Sequence, residues 1–331
     1  MKSIGTMDTS DVSSEIASFP VFSPVDPGTI DAIRPWLAGV QHVADFNLVE
    51  LWCWIRGRGD AGVSQLNGNL VVRWPAFPTH DTGEADLPGF VPDSGYLSVL
   101  PRHQVERTIL DLLAYTTSST VNIQSSIRAI PLLDATLDNL SESGFVMTED
   151  RDNFDYMISV HDWARMAGGS FRNKRNVIHR LERATAIDWR ISSPENREVA
   201  AGIPEVIARW ADQRGRDRSE VAQESTAIAN LLDHAPSPGV FVVTAFADDV
   251  MIGFSINEVV DASYAVGHFA KADYRFPGLS TAMLHRVCLH LAASGVRMLN
   301  IEADLGDPGL RRAKMLLRPS GFLRKVMVAP I

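Results

Sequence analysis

Between Asn300 and Pro319 the chain reads NIEADLGDPGLRRAKMLLRP, which sorts three carboxylates, Glu302, Asp304 and Asp307, ahead of four basic side chains, Arg311, Arg312, Lys314 and Arg318. Glu302 and Asp304 alternate by two at the end of a strand expected over residues 297–301, so the strand period puts both on one side of a sheet. A carboxylate pair so placed can accept a proton from an amine or orient a cationic substrate. The same pair could equally serve only to neutralise Arg311 and Arg312. Asp307 precedes Pro308, the arrangement of a helix N-cap followed by a first-turn proline. On that helix Arg311, Lys314 and Arg318 cluster beside an apolar stripe of Leu310, Ala313 and Leu317, a pattern that suits a polyanion but is also common on a solvated amphipathic helix.

A second basic segment, SFRNKRNVIHRLERA over residues 170–184, reads as a helix with Ser170 as its N-cap. Arg172, Asn176, His179 and Arg183 share one stripe with Arg175 nearby, while Val177, Ile178 and Leu181 take the other side. The formal net charge of −9 argues against non-specific attraction to nucleic acid or anionic lipid. A polyanionic ligand therefore needs one of these two local patches.

Other chemistries find less support. There is no G-x-S-x-G elbow and no P-loop. His285, Cys288 and His290 cannot all face one metal from one helix, and no metal site is expected. Cys53 and Cys288 give no disulfide framework and read as buried filler. Trp163, Trp189 and Trp210 could stack bases, though packing is the commoner use. Acetyl-CoA enzymes hold pyrophosphate on an R/Q-x-x-G-x-G/A turn at a helix N-terminus. RGRGDA (56–61) fits the letters but is followed by a strand. RFPGLS (275–280) has the right context, yet ends in Ser and loses an N–H donor at Pro277.

The elements that must position these residues follow from pattern. A length of 331 residues suggests two domains. Strands are expected at 46–54, 68–74, 121–123 and 145–147, a loop over 75–94, and helices from about Arg102 to Ala114 and over 131–144. The second half reads as helices 204–214 and 220–233, a strand pair hinged at Asp248 and Asp249, a strand over 263–269, a helix over 280–293 and the strand over 297–301. That is the order of the acetyltransferase-like (GNAT) fold. The first twenty residues lack the apolar run of a secretory signal and are expected to be a disordered N-terminus, and no run approaches a membrane span. A cytoplasmic protein is expected.

Two long stretches carry a more specific likeness. EDRDNFDYMISVHDWARMAGGSFRNKRNVIHRLER, and later HFAKADYRFPG with NIEADLGDPGLRRAKMLLRP, resemble the centre and the closing motifs of the phosphatidylglycerol lysyltransferase C-terminal domain family. The resemblance spans residues 40–320 and implies an α+β protein of two tandem GNAT-like domains. Residues 21–168 form the first, 169–185 a basic linker helix, and 186–331 the second, catalytic domain. It further implies an acyltransferase that takes an aminoacyl group from aminoacyl-tRNA, without another cofactor, and passes it to the amine or hydroxyl of a small acceptor, as in antibiotic pathways. Carried over by position, Lys271, Glu302, Asp304 and Arg311 are the catalytic candidates. Arg172, Lys174, Arg175, Asn176, His268, Asp307, Lys314 and Arg318 are the substrate or tRNA contacts. No DNA partner is implied, and the membrane helices that precede the lipid enzymes are not in this sequence; peripheral lipid contact stays open. The alternatives are an acyl-CoA N-acyltransferase and a non-catalytic tRNA or phospholipid-surface binding module.

Overall fold

The structure is a computed structural model that describes residues 16–38, 43–75, 94–118, 123–129, 145–216 and 218–329. Two mixed sheets organise it. The first half supplies α1 (Pro27–Ile33), α2 (Leu48–Ile55), β1 (Gly62–Leu66), β2 (Asn69–Trp74), β3 (Gly95–Val99), α3 (Val105–Ser118), β4 (Ile123–Ala129) and β5 (Val146–Glu149). β6 (Asp155–Ser159), α4 (Val160–Arg165), α5 (Arg172–Ala184) and β7 (Asp188–Ser192) follow. α6 (Arg197–Arg214), α7 (Arg218–Asp233), β8 (Val240–Ala247), β9 (Val250–Asp261), β10 (Tyr264–Ala272), α8 (Leu279–Ala293) and β11 (Met298–Asn300) come next. The described elements end with α9 (Pro308–Leu316), β12 (Gly321–Leu323) and β13 (Val326–Ala329).

The first sheet runs β1-β2-β3-β4-β13-β5 and the second β12-β6-β11-β10-β9-β8-β7. In each half, helices precede three antiparallel strands, and a helix then crosses to a parallel strand: β3 pairs with β4 and β10 with β11 in parallel. This is the acetyltransferase-like order, repeated in tandem. The expected boundary after residue 168 is not a division between the sheets. β6 lies inside the second sheet, and β13 returns to the first.

Three expectations are corrected. FNLVELWCW was expected as a strand, but Asn47 caps α2 by accepting from the N–H groups of Val49 and Glu50. Every residue of α2 except Trp54 is buried, so its apolar run shows no face that would tell helix from strand. Residues 16–20 are ordered, with Ile16 in the core and Phe19 N–H donating to Gln65 O; the rest of the expected N-terminal tail lies outside the described residues. Ser170 does not cap α5, which continues from a 3-10 turn at Gly169–Phe171 with no side-chain cap. The helix expected over 131–144 lies outside the described residues, as does most of the loop over 75–94. Asp248 and Asp249 do form the β8–β9 turn, both at positive φ, the backbone that a tight right-twisted hairpin requires.

A buried ionic chain joins the halves. Arg128 of β4 donates to Asp150 (2.8 Å) and Asp45 (3.3 Å) and lies over the Tyr96 ring. Lys325 contacts Asp45 and also Asp155 (3.0 Å), whose Oδ2 accepts from Asn300 Nδ2 (3.0 Å) and Ala44 N (3.2 Å). Asp155 and Asn300 belong to β6 and β11 of the second sheet, so the chain reaches from one sheet to the other.

Candidate functional site

β10 and β11 pair only over Tyr264–Met298, Ala265–Leu299 and Val266–Asn300. Beyond these residues β10 continues against β9 with a bulge between Gly267 and Phe269, while the chain leaving β11 follows β6, with Ile301 N donating to Tyr156 O. The two strands therefore part, and the bulge residue His268 sits at the split. A bulge re-aims a side chain in this way.

His268 is surrounded by acids from three elements. Its Nδ1 lies 3.0 Å from Glu50 Oε1 of α2 and 3.0 Å from Glu302 Oε1, and its Nε2 lies 3.6 Å from Glu258 Oε2 of β9. Asn47, the cap of α2, fixes Glu258 by donating from Nδ2 at 2.7 Å. Burial disfavours the charge on His268, but the neighbouring carboxylates of Glu258, Glu302 and Glu50 raise its pKa well above the ordinary value. Burial and the charge of Glu50 push Glu302 up to about 8; burial would raise Glu258 too, but His268, Ser237 and Asn47 together hold it below the ordinary value.

Glu302 and Asp304 are not the paired carboxylates that strand alternation implies. The strand ends at Asn300, and Glu302 adopts φ 58°, which breaks the period of two. Glu302 faces His268. Asp304 instead accepts from Arg311 Nε (2.9 Å) and Nη2 (2.7 Å), from Arg151 (3.2 Å) and from the Tyr156 hydroxyl. Burial would raise Asp304, but Arg311 and Tyr156 hold it below the ordinary carboxylate value.

The cations of the last motif are also divided. Arg311 pairs with Asp304 and Asp152. Lys314 points inward and donates to the carbonyls of Ile301 (2.6 Å), Glu302 (3.1 Å) and Ala303 (2.6 Å), and burial lowers its pKa to about 8. Neither is a free surface cation. Asp307 caps α9 as expected, accepting from Leu310 N at 2.8 Å, and also meets Arg216 at 3.2 Å. Lys271 pairs with Glu224 (2.6 Å), over the Trp210 ring.

On the linker helix, Arg175 folds back onto the carbonyls of Met166 and Gly168 at the end of α4. Arg172 and Asn176 are exposed and Lys174 half-buried. Arg318 reaches the same corner, donating to Ser170 O (3.1 Å) beside the Phe171 ring. Burial, then the charge of Arg318, lowers the pKa of Lys174. The structure thus brings Lys174 and Arg318 to one corner, with Arg172 exposed at the start of the same helix, and places His268 with Glu302 at the strand split. Glu50, Glu258, Arg151 and Asp152 escaped sequence reasoning. For Glu50 the signal was present, an Asn three residues before an acid ahead of an apolar run, but the run read as a strand.

The family model described as phosphatidylglycerol lysyltransferase, C-terminal, matches residues 112–329, well over half of the chain. No curated protein matches in sequence. Among solved structures, a conserved protein of unknown function from Bacteroides thetaiotaomicron is similar at a TM-score of 0.73 and 19% identity, over 94% of this chain and 99% of that one. L-PGS from Bacillus licheniformis is similar at a TM-score of 0.59 and 12% identity, over 94% of this chain and 93% of that one. At these identities the structural likeness speaks for the fold alone.

Proposed function

The chain belongs to the phosphatidylglycerol lysyltransferase C-terminal family, and from that premise we propose that it moves an aminoacyl group from charged tRNA to the amine or hydroxyl of a small acceptor. The observation that carries this reading is the placement of α5. Its Val177 packs on Gly278 at the start of α8, so closely that a Cβ there would lie 2.5 Å from Val177 Cγ1 and 3.2 Å from Val177 O. This is the helix N-terminus at which an acetyl-CoA enzyme of this fold holds pyrophosphate, and α5 packs over it. The same helix presents Lys174 near Arg318, a cationic corner in which burial first, and then the charge of Arg318, lowers the Lys174 pKa. A phosphate backbone supplies the negative charge that such a corner attracts.

The chemistry asked of the site is modest. An aminoacyl ester is already activated: the acceptor attacks its carbonyl, a tetrahedral centre forms, the ribose hydroxyl leaves with a proton, and the new bond remains. Orientation and stabilisation of the oxyanion are the main demands. In this reading the acyl group enters where β10 and β11 part. Lys271 and Glu302 border the opening, and Asp304 with Arg311 hold the loop that carries Glu302 in place.

The test is discharge of a mixture of labelled aminoacyl-tRNAs by the protein in the presence of candidate amines and hydroxyl compounds. Charge reversal at Lys174 and Arg318 together should weaken tRNA binding at least tenfold and reduce the slope of log affinity against log salt by about 2. Unchanged affinity in that variant removes the cationic corner from the account. A lipid acceptor is favoured by one feature: Leu305 and Leu316, each 60% exposed, and Met315, 47% exposed, stand near Arg312 on and before α9. Apolar and cationic side chains on one exposed helix suit an anionic lipid surface. Sedimentation with phosphatidylglycerol vesicles separates that reading from a soluble acceptor.

A further inference from the structure

We propose that Glu50, His268 and Glu302 form a binding site for one divalent transition metal of the zinc type, open toward the split between β10 and β11. Donor atoms of Glu50, His268 and Glu302, one from each, lie within 4.8 Å of one another, the one such group of His, Cys, Asp and Glu among the described residues. Three separate elements deliver them, and each is fixed. Asn47 caps the helix that carries Glu50, the β10 bulge turns His268 inward, and Glu302 is held at φ 58°. The Glu302 N–H donates to Asn300 Oδ1 (2.7 Å), and its carbonyl accepts from Tyr156 N (3.2 Å) and Lys314 Nζ (3.1 Å). The donor atoms are therefore in place before any ligand arrives.

Spacing decides which cation fits. Donors about 2.0–2.2 Å from a metal stand roughly 3.0–3.6 Å apart for bond angles between octahedral and tetrahedral. Acceptors around an ammonium, each about 2.8 Å from its nitrogen, stand roughly 4.6 Å apart. His268 Nδ1 is 3.0 Å from each of the two carboxylate oxygens, the separation of a hydrogen bond and also one that suits a shared metal and not a shared ammonium. Without a cation, a single Nδ1 hydrogen faces two acceptors. A metal takes the lone pairs of all three instead.

The other ring nitrogen points the same way. His268 Nε2 is buried and has no hydrogen-bond partner, although Glu258 Oε2 is 3.6 Å away and itself anchored by Asn47. A histidine that ligates through Nδ1 carries its proton on Nε2 and turns it to a carboxylate behind it, the usual outer support of a metal-bound imidazole. Glu50 and Glu258 are buried and Glu302 is partly so, and this many acids around one imidazole favour a bound cation. One nitrogen and two oxygen donors suit zinc, manganese or iron rather than magnesium or calcium, which prefer oxygen alone.

The test needs neither tRNA nor turnover, so its failure is distinct from failure of the transferase reading. Chelator-treated full-length protein is titrated with Zn²⁺ by calorimetry, with Ca²⁺ as control, and its melting temperature is followed with and without Zn²⁺. One equivalent should bind the wild type and raise its melting temperature. Glu50→Gln and Glu302→Gln, checked for folding by circular dichroism, should each lose at least tenfold in affinity and most of that rise. No stoichiometric binding by the wild type, or equal binding by both folded variants, overturns the proposal and leaves the three groups as an internal hydrogen-bonded cluster.

Discussion

Lys314 shows what a charged residue can do once it leaves the surface. Its ammonium ties three successive carbonyls, those of Ile301, Glu302 and Ala303, and so sets the loop from which Glu302 and Asp304 diverge. Lys314→Met keeps the stem but leaves the Ile301 and Ala303 carbonyls without this donor, while Glu302 O keeps the Tyr156 N–H, at about 1–3 kcal/mol for each group left unsatisfied. We expect a loss of roughly 3 kcal/mol in urea unfolding; a loss below about 0.5 kcal/mol would mean the carbonyls find water. Asp273 gives a pH prediction. Burial works against its charge, but Arg275 and Gln213 donate to it and bring its pKa down to about 2 from 3.8. A depressed carboxyl stabilises the fold above its unfolded pKa and loses that contribution as pH falls toward the folded value. Roughly 2 kcal/mol should therefore disappear between about pH 4 and pH 2. Asp273→Asn should be less stable at neutral pH and lack that step, as acid-titrated denaturation can show. At this scale sequence read Asp307 well, because a cap is a local event. It misread Glu302 and Asp304, because one positive φ cancels the alternation of a strand, and nothing in the letters marks it.

Among the elements, α5 governs the site more than its charge pattern suggests. Val177 closes on Gly278, which has φ 98°, a conformation open to glycine and costly for other residues. Gly278→Ala should cost about 2 kcal/mol or more, from the backbone and from the clash. Adding Val177→Ala should restore only part of it, since the Val177 carbonyl also lies 3.2 Å from the new Cβ and the backbone strain persists. Full rescue would show that α5 can shift away from α8. The second-half elements were legible because hairpin turns, the Gly278 entry and the Asp307–Pro308 start punctuate amphipathic runs. α2 was not, since a helix buried on nearly all sides has no period to read, and with it Glu50, one of the three acids around His268, stayed hidden.

For the whole molecule, the chain Arg128–Asp45–Lys325–Asp155–Asn300 makes the two sheets one mechanical unit, because its members come from both. Removing one partner of a buried ion network leaves a bare charge, which costs about 3–5 kcal/mol. Lys325→Met should therefore destabilise both halves together, with one shifted transition by intrinsic fluorescence and by circular dichroism. Two separated transitions would mean that the halves fold independently. Sequence reading reached the tandem arrangement but not this exchange, since a short C-terminal strand pairing across the whole chain has no local signature. The central claim is the transfer itself. Incubated with a mixture of labelled aminoacyl-tRNAs and a panel of amines, the protein should release label from tRNA into a small product, and the Lys174–Arg318 charge-reversal variant should do so far more slowly. Label that stays on every tRNA, while acetyl-CoA supports acylation of the same amines, would contradict the account.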